Sequence, residues 1–161
     1  MKTQPLDSPF SVLLVDDHLL FRREMRKIIE EVPGVKVIGE AASGSELFEL
    51  LENLSPDLIL LDVSTPGLKA MEATQIIRKK YPRIKVLVMI MEEEREYLDR
   101  ATAVGAVGVL LKQDTASEFS QAITLIRQGK NYIPKQMGCE KSVNNTLAAS
   151  SNLKNILSTY F

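Results

Sequence analysis

An α/β fold, a doubly wound sheet of five parallel strands in the order 2-1-3-4-5 with five flanking helices, is what this sequence predicts. Three observations carry the prediction. Five short aliphatic runs recur along the chain: SVLLV (11–15), VKVIGE (35–40), DLILLD (57–62), IKVLVMI (84–90) and VGVLL (107–111). Most lack clean alternation, as strands covered on both faces do. Segments with helical spacing separate them, and strict alternation of strand and helix implies parallel strands with right-handed crossovers. For five such strands the usual order places the switch point between strands 1 and 3, and sites lie beyond the carboxyl ends of the strands.

The helices follow in order. In the first, Phe21, Met25, Ile28, Ile29 and Val32 share one face while Arg22, Arg23, Arg26 and Lys27 take the other, and Pro33-Gly34 ends it. The second opens with Ser43 and Glu46 in capping-box positions and continues through Leu47, Leu50, Leu51 and Leu54. The third runs from about Lys69 to Lys80, before Pro82. A fourth begins in the acidic stretch Glu92 to Glu94, where negative charge favours a helix N-terminus, and ends near Gly105. The fifth repeats the capping signature with Thr115 and Glu118, then carries Phe119, Ala122, Ile123 and Ile126 inward.

Composition bounds the function classes. With 161 residues, 45% of them hydrophobic, the chain can bury the core of one ordinary domain. A net charge of -1 offers no broad attraction to a phosphate backbone, so nucleic acid is not an expected partner of this chain. One cysteine, Cys139, can form neither an internal disulfide nor a cysteine-rich zinc site, and a reducing cytoplasm is the expected compartment. No run approaches a membrane-spanning length, so no membrane association is expected.

The chemistry gathers at the strand ends. Strand 1 ends in Asp16-Asp17, strand 3 in Asp62 and strand 5 runs into Lys112. Neighbouring strands lie about 4.8 Å apart, so the predicted order brings three carboxylates to one crevice. Like charges at that range raise one another's pKa unless a cation intervenes. A hard dication such as Mg2+ suits a few carboxylates, a backbone carbonyl and a phosphate oxygen, and Lys112 neutralises a further part of the charge. A carboxylate nucleophile, a metal and a lysine together describe a phosphoryl-transfer site. An aspartate at a strand end is commonly just solvated or caps the next helix; the convergence of unlike groups sets Asp62 apart. His18, the single histidine, is read as a structural or surface residue without a metal partner.

LLVDDH (13–18), LILLDVSTPG (58–67) and GAVGVLLKQD (105–114) stand in the order and spacing of landmarks in one family. Over about residues 10–136 the sequence resembles the receiver domain of bacterial two-component response regulators, in the subfamily that usually precedes a helix-turn-helix DNA-binding domain. The resemblance implies the flavodoxin-like arrangement already deduced. It also implies that Asp62 accepts phosphate from a sensor histidine kinase's phosphohistidine and that Asp16 and Asp17 hold Mg2+ directly or through water. Ser64 would lend its backbone carbonyl to the metal, Lys112 would pair with the phosphoryl group and Pro66-Gly67 would shape the adjoining loop. Glu92 is a secondary candidate for tuning phosphate lifetime.

The match departs from the family at its switch. Where the family carries serine or threonine at the end of strand 4 and an aromatic in strand 5, this chain has Ile90 and Val109. Ile90 cannot hydrogen-bond a phosphoryl oxygen, and a ligand shifts a conformational equilibrium only through differential interaction. Three expectations therefore stand: a phosphate-accepting receiver signalling through altered protein contacts, a phosphorylation-independent interaction module, and the receiver part of a transcription regulator whose DNA-binding domain is not in this chain. The domain reading is a tail over 1–9, the receiver over 10–136, and a linker over 137–161 with no helix-turn-helix visible. Leu153, Ile156, Leu157, Tyr160 and Phe161 share one helical face near its end, which suggests either a docking or dimerising helix or a frayed terminus.

Overall fold

Every residue of LILLD is buried, which only a central strand with helices on both sides permits. The computed structural model describes residues 8–91 and 95–134. Its strands are β1 (Phe10–Val15), β2 (Val35–Ala41), β3 (Leu58–Asp62), β4 (Lys85–Ile90) and β5 (Gly108–Leu111). Between and after them run α1 (Leu19–Glu30), α2 (Gly44–Leu51), α3 (Ala70–Lys80), α4 (Arg95–Ala103) and α5 (Ala116–Arg127). The sheet is parallel throughout, in the order β2-β1-β3-β4-β5, as the strand–helix alternation predicts. Residues 92–94, where the fourth helix was expected to begin, Cys139 and the amphipathic stretch near the end of the chain lie outside the described residues.

Successive side chains of a strand point to opposite faces, and here they feed two cores. Leu13, Val15, Ile59, Leu61, Val88 and Ile90 pack with Leu47, Ile77 and Leu98 of α2, α3 and α4. Val12, Leu14, Leu58, Leu60 and Met89 pack on the other face with Met25, Ile29, Phe119 and Ile123 of α1 and α5. Each such aliphatic, fully buried, contributes about 1.5–3 kcal/mol.

Local chemistry sets the ends. Thr115 and Glu118 form the complete reciprocal capping box of α5. At α2 only half of the expected box forms. Ser43 Oγ accepts from the Glu46 N–H at 3.3 Å, but the Glu46 carboxylate reaches one residue further back and accepts from the Ala42 N–H at 2.6 Å. The polar face expected of α1 is also only partly solvated: the Arg22 side chain, 14% exposed, turns inward to Glu40 of β2 and to the backbone carbonyl of Asp16.

Two glycines allow close approaches that position loops. At Gly44 a Cβ would lie 2.5 Å from the Gly67 carbonyl oxygen, and the Gly44 N–H donates to the Pro66 carbonyl at 3.2 Å, which ties the β2–α2 turn to the loop after Asp62. At Gly108 a Cβ would lie 2.2 Å from the Tyr132 carbonyl oxygen. Tyr132 donates its N–H to Val107 and accepts from Val109, so the backbone beyond α5 covers the outer edge of β5. Covering an open edge removes a pairing surface for other chains.

Candidate functional site

Three strand ends converge, and each delivers one charged group. The switch in crossover direction at β1 and β3 opens a crevice at their carboxyl ends, where Asp16 and Asp17 follow β1 and Asp62 closes β3. Lys112 follows β5 with its N–H held by the Ile90 carbonyl at 2.9 Å. Its ammonium reaches across to Asp16 Oδ2 at 2.7 Å and Asp62 Oδ2 at 2.9 Å. Asp16 and Asp62 are buried and the Lys112 side chain is 8% exposed, whereas Asp17 opens to solvent. All four residues expected from the sequence therefore meet.

Electrostatics follow from that geometry. Burial by itself lowers the Lys112 pKa, but hydrogen bonds from the ammonium to Asp16 and Asp62 and the fields of both carboxylates outweigh it, and the net shift is upward. Lys112 thus stays charged. Three carboxylates against one ammonium still leave two negative charges, which a dication balances. Asp16 Oδ2 is buried and, among the described residues, has no hydrogen-bond partner besides the Lys112 ammonium. An oxygen so placed, with an all-oxygen carboxylate set around it, fits Mg2+.

Several contacts had no signal in the sequence. Ser64, expected to offer its carbonyl, also donates from its hydroxyl to Asp62 Oδ2 at 2.9 Å and from its N–H to Asp62 Oδ1 at 3.2 Å. The Lys112 ammonium lies 4.6 Å from the centre of the Phe21 ring. His18 does not stand apart: its Nδ1 is 3.1 Å from Asp16 Oδ1 and 3.3 Å from Asp17 Oδ1, and it joins Asp16, Asp17 and Asp62 in a group whose ligand atoms lie within 4.8 Å of one another. The chain neighbour of two aspartates is an obvious place to look, but only the turn into α1 decides that the ring folds back.

Ile90 and Val109 occupy the positions read from the sequence. Ile90 ends β4 beside Leu111, and Val109 pairs with Val88. Both are buried in the same core, on the face covered by α2, α3 and α4.

A doubly wound sheet that gathers an aspartate pair, a buried aspartate and a lysine at the carboxyl ends of its strands defines a receiver-type signalling module. Residues 12–124 match the response regulator receiver domain, and the chain belongs to that family. It is 36% identical over 126 residues to the response regulator GacA of Pseudomonas viridiflava, covering 78% of this chain and 59% of that protein. It is 32% identical over 133 residues to the transcriptional regulatory protein DegU of Brevibacillus brevis, covering 83% of this chain and 56% of that protein. A crystal structure of a LuxR-family two-component response regulator from Aurantimonas sp. SI85-9A1 superposes with a TM-score of 0.76 at 32% identity, over 81% of this chain and 93% of that one. The chain spans somewhat more than half the length of the two sequence relatives. No helix among the described residues is long and apolar enough to cross a membrane.

Proposed function

We propose that Asp62 accepts a phosphoryl group from the phosphohistidine of a sensor histidine kinase or phosphotransfer protein. The observation that carries this reading is the buried Asp62 carboxylate held at 2.9 Å by the Lys112 ammonium beside Asp16 and Asp17. Attack by an Asp62 oxygen on phosphorus forms the acyl phosphate while the P–N bond breaks and the imidazole of the donor leaves. Bound Mg2+, held by Asp16, Asp17, Asp62 and the Ser64 carbonyl, would supply charge to the transferring group. Lys112 then neutralises a phosphoryl oxygen, and the Ser64 hydroxyl, already on Asp62 Oδ2, fixes the carboxylate's orientation. Leu19 and Leu20, exposed at the first turn of α1, give a donor protein apolar surface at the rim of the crevice. The same groups catalyse phosphorylation of Asp62 by small donors and hydrolysis of the product. Residues 10–136 form the receiver, acting in the cytoplasm.

Incubation with a small-molecule phosphodonor and Mg2+, followed by intact-mass measurement, tests the reading. One phosphoryl adduct is expected, absent in Asp62→Asn; an unmodified wild type, or an adduct that survives the substitution, refutes it.

A second reading draws on the buried pair Ile90 and Val109. With neither a hydroxyl nor an aromatic to follow the phosphoryl group, the domain would present its interaction surfaces largely independently of phosphate. Titration with beryllofluoride, watched by backbone NMR, separates the two. Changes confined to the crevice support the second reading, and large changes across β4, α4 and β5 exclude it. Output in either case runs through protein contacts, a homodimer among them, and the receiver part of a longer transcription regulator remains consistent with the relatives' lengths.

A further inference from the structure

We propose that His18 Nδ1 is a nitrogen ligand in the acidic crevice, so that the site takes a later first-row transition dication, Co2+ or Ni2+, more tightly than an all-oxygen site would. The inference rests on the metal-binding reading of Asp16, Asp17 and Asp62. Three observations carry it. His18 occupies the N-cap position of α1, yet its side chain makes no capping hydrogen bond, so the helix does not account for where the ring points. Instead the His18 N–H donates to Asp16 Oδ1 at 2.8 Å, and this turn brings the ring back over the carboxylates.

The spacing is that of ligands around one ion. Adjacent ligands on an octahedral ion with bonds near 2.1 Å stand about 3 Å apart, and opposite ones about 4.2 Å. Nδ1 lies 3.1 Å from Asp16 Oδ1 and 3.3 Å from Asp17 Oδ1, and the four-residue group fits within 4.8 Å. A contraction of up to about 0.6 Å across the widest pair brings the group to the octahedral span.

Chemistry then sets the preference. Imidazole suits the later first-row dications, Co2+ and Ni2+ among them, whereas Mg2+ and Mn2+ favour oxygen. Losing a nitrogen ligand therefore weakens the later ions selectively.

The chain holds a single histidine, which makes the test unambiguous in tag-free protein. Cys139→Ser removes the single thiol. Electron spin echo measurements on bound Mn2+ should show coupling to an imidazole nitrogen, lost in His18→Ala. Calorimetry should show Co2+ and Ni2+ affinities falling about 10-fold in that variant while Mg2+ affinity changes less than about 2-fold. Circular dichroism confirms the fold of each variant, and His18→Gln repeats the substitution at similar size. Mg2+ binding that is lost in Asp62→Asn, combined with no nitrogen coupling in the wild type, overturns the role of His18 alone. Absence of any Mg2+ or Mn2+ binding overturns the carboxylate site as well. Nitrogen coupling that persists undiminished in Asp17→Asn with Asp62→Asn also overturns it, because the ring would then bind metal outside the crevice.

Discussion

Replacing Lys112 by methionine isolates the charge balance of the crevice, because methionine keeps the apolar stem and removes only the ammonium. In the wild type that ammonium contacts two buried carboxylates at 2.7 and 2.9 Å. At an effective dielectric constant of about 20, each contact carries roughly 6 kcal/mol of Coulomb energy, much of it offset by desolvation. Removing one partner of a buried pair strands the other charge and costs about 3–5 kcal/mol. Domains of this size are stable by about 5–15 kcal/mol, so Lys112→Met consumes a large share. The expected drop in Tm is roughly 10 °C or more. Urea titration followed by circular dichroism, in buffer with chelator, measures the loss directly. Asp62→Asn should restore at least about 1 kcal/mol to Lys112→Met, since it removes one stranded charge, and a double-mutant cycle reads that coupling. Mg2+ should likewise recover part of the loss by binding the native state. A loss below about 1 kcal/mol together with an additive cycle would show that the ammonium is not what balances the carboxylates.

Gly44→Ala sets two effects against each other. Alanine is the better helix former by about 1 kcal/mol, but its Cβ would stand 2.5 Å from the Gly67 carbonyl oxygen. The clash should win, with a net loss of about 1–3 kcal/mol in thermal or urea unfolding; a stabilised variant would show that the loop after Asp62 yields freely. Ile90→Thr places a hydroxyl where the family has one, at a cost of about 1–3 kcal/mol for burying it and losing a methyl. The variant should enlarge the beryllofluoride-induced NMR shifts in β4 and β5, and unchanged shifts would mean that the missing hydroxyl is not what limits the response. At alkaline pH, burial chiefly, then Asp114 and Glu118, raises the Tyr132 phenol above its usual pKa. The unfolded chain ionises that phenol first, so stability falls as pH rises above about 10. The raised Lys112 pKa acts in the same direction, its contribution being full below about 10.4 and lost as pH rises through the folded value. Tyr132→Phe should flatten the fall of Tm between pH 9 and pH 11 relative to wild type, and parallel curves would contradict it.

Much of the molecule was legible because its information is local. Aliphatic runs buried on both faces mark strands whatever surrounds them, and their ends agree with the structure to within one residue: 57–62 was expected for the third strand and Leu58–Asp62 is observed. Strand order followed from alternation and handedness, and that order brought Asp16, Asp17 and Asp62 to one crevice, whereas Lys112, on a strand separated from β3 by β4, reaches it by the length of its side chain. The register that puts Ile90 at the end of β4 and Val109 inside β5 was readable for the same reason.

What the sequence by itself determined is therefore the fold, the charged residues at the strand ends, and an isoleucine at the end of β4 with a valine inside β5. These depend on backbone periodicity and on residue type at strand ends, and both are fixed by spacing along the chain. The tertiary structure alone decided where flexible side chains point once several partners compete for them. Arg22 leaves the polar face of α1 for Glu40 and the Asp16 carbonyl. Glu46 reaches past Ser43 to Ala42, and Tyr132 returns to cover β5. His18 turns back over the aspartates because its own N–H binds Asp16. Each of these outcomes rests on distances between groups that the turns bring together, and such distances exist only after the chain has packed.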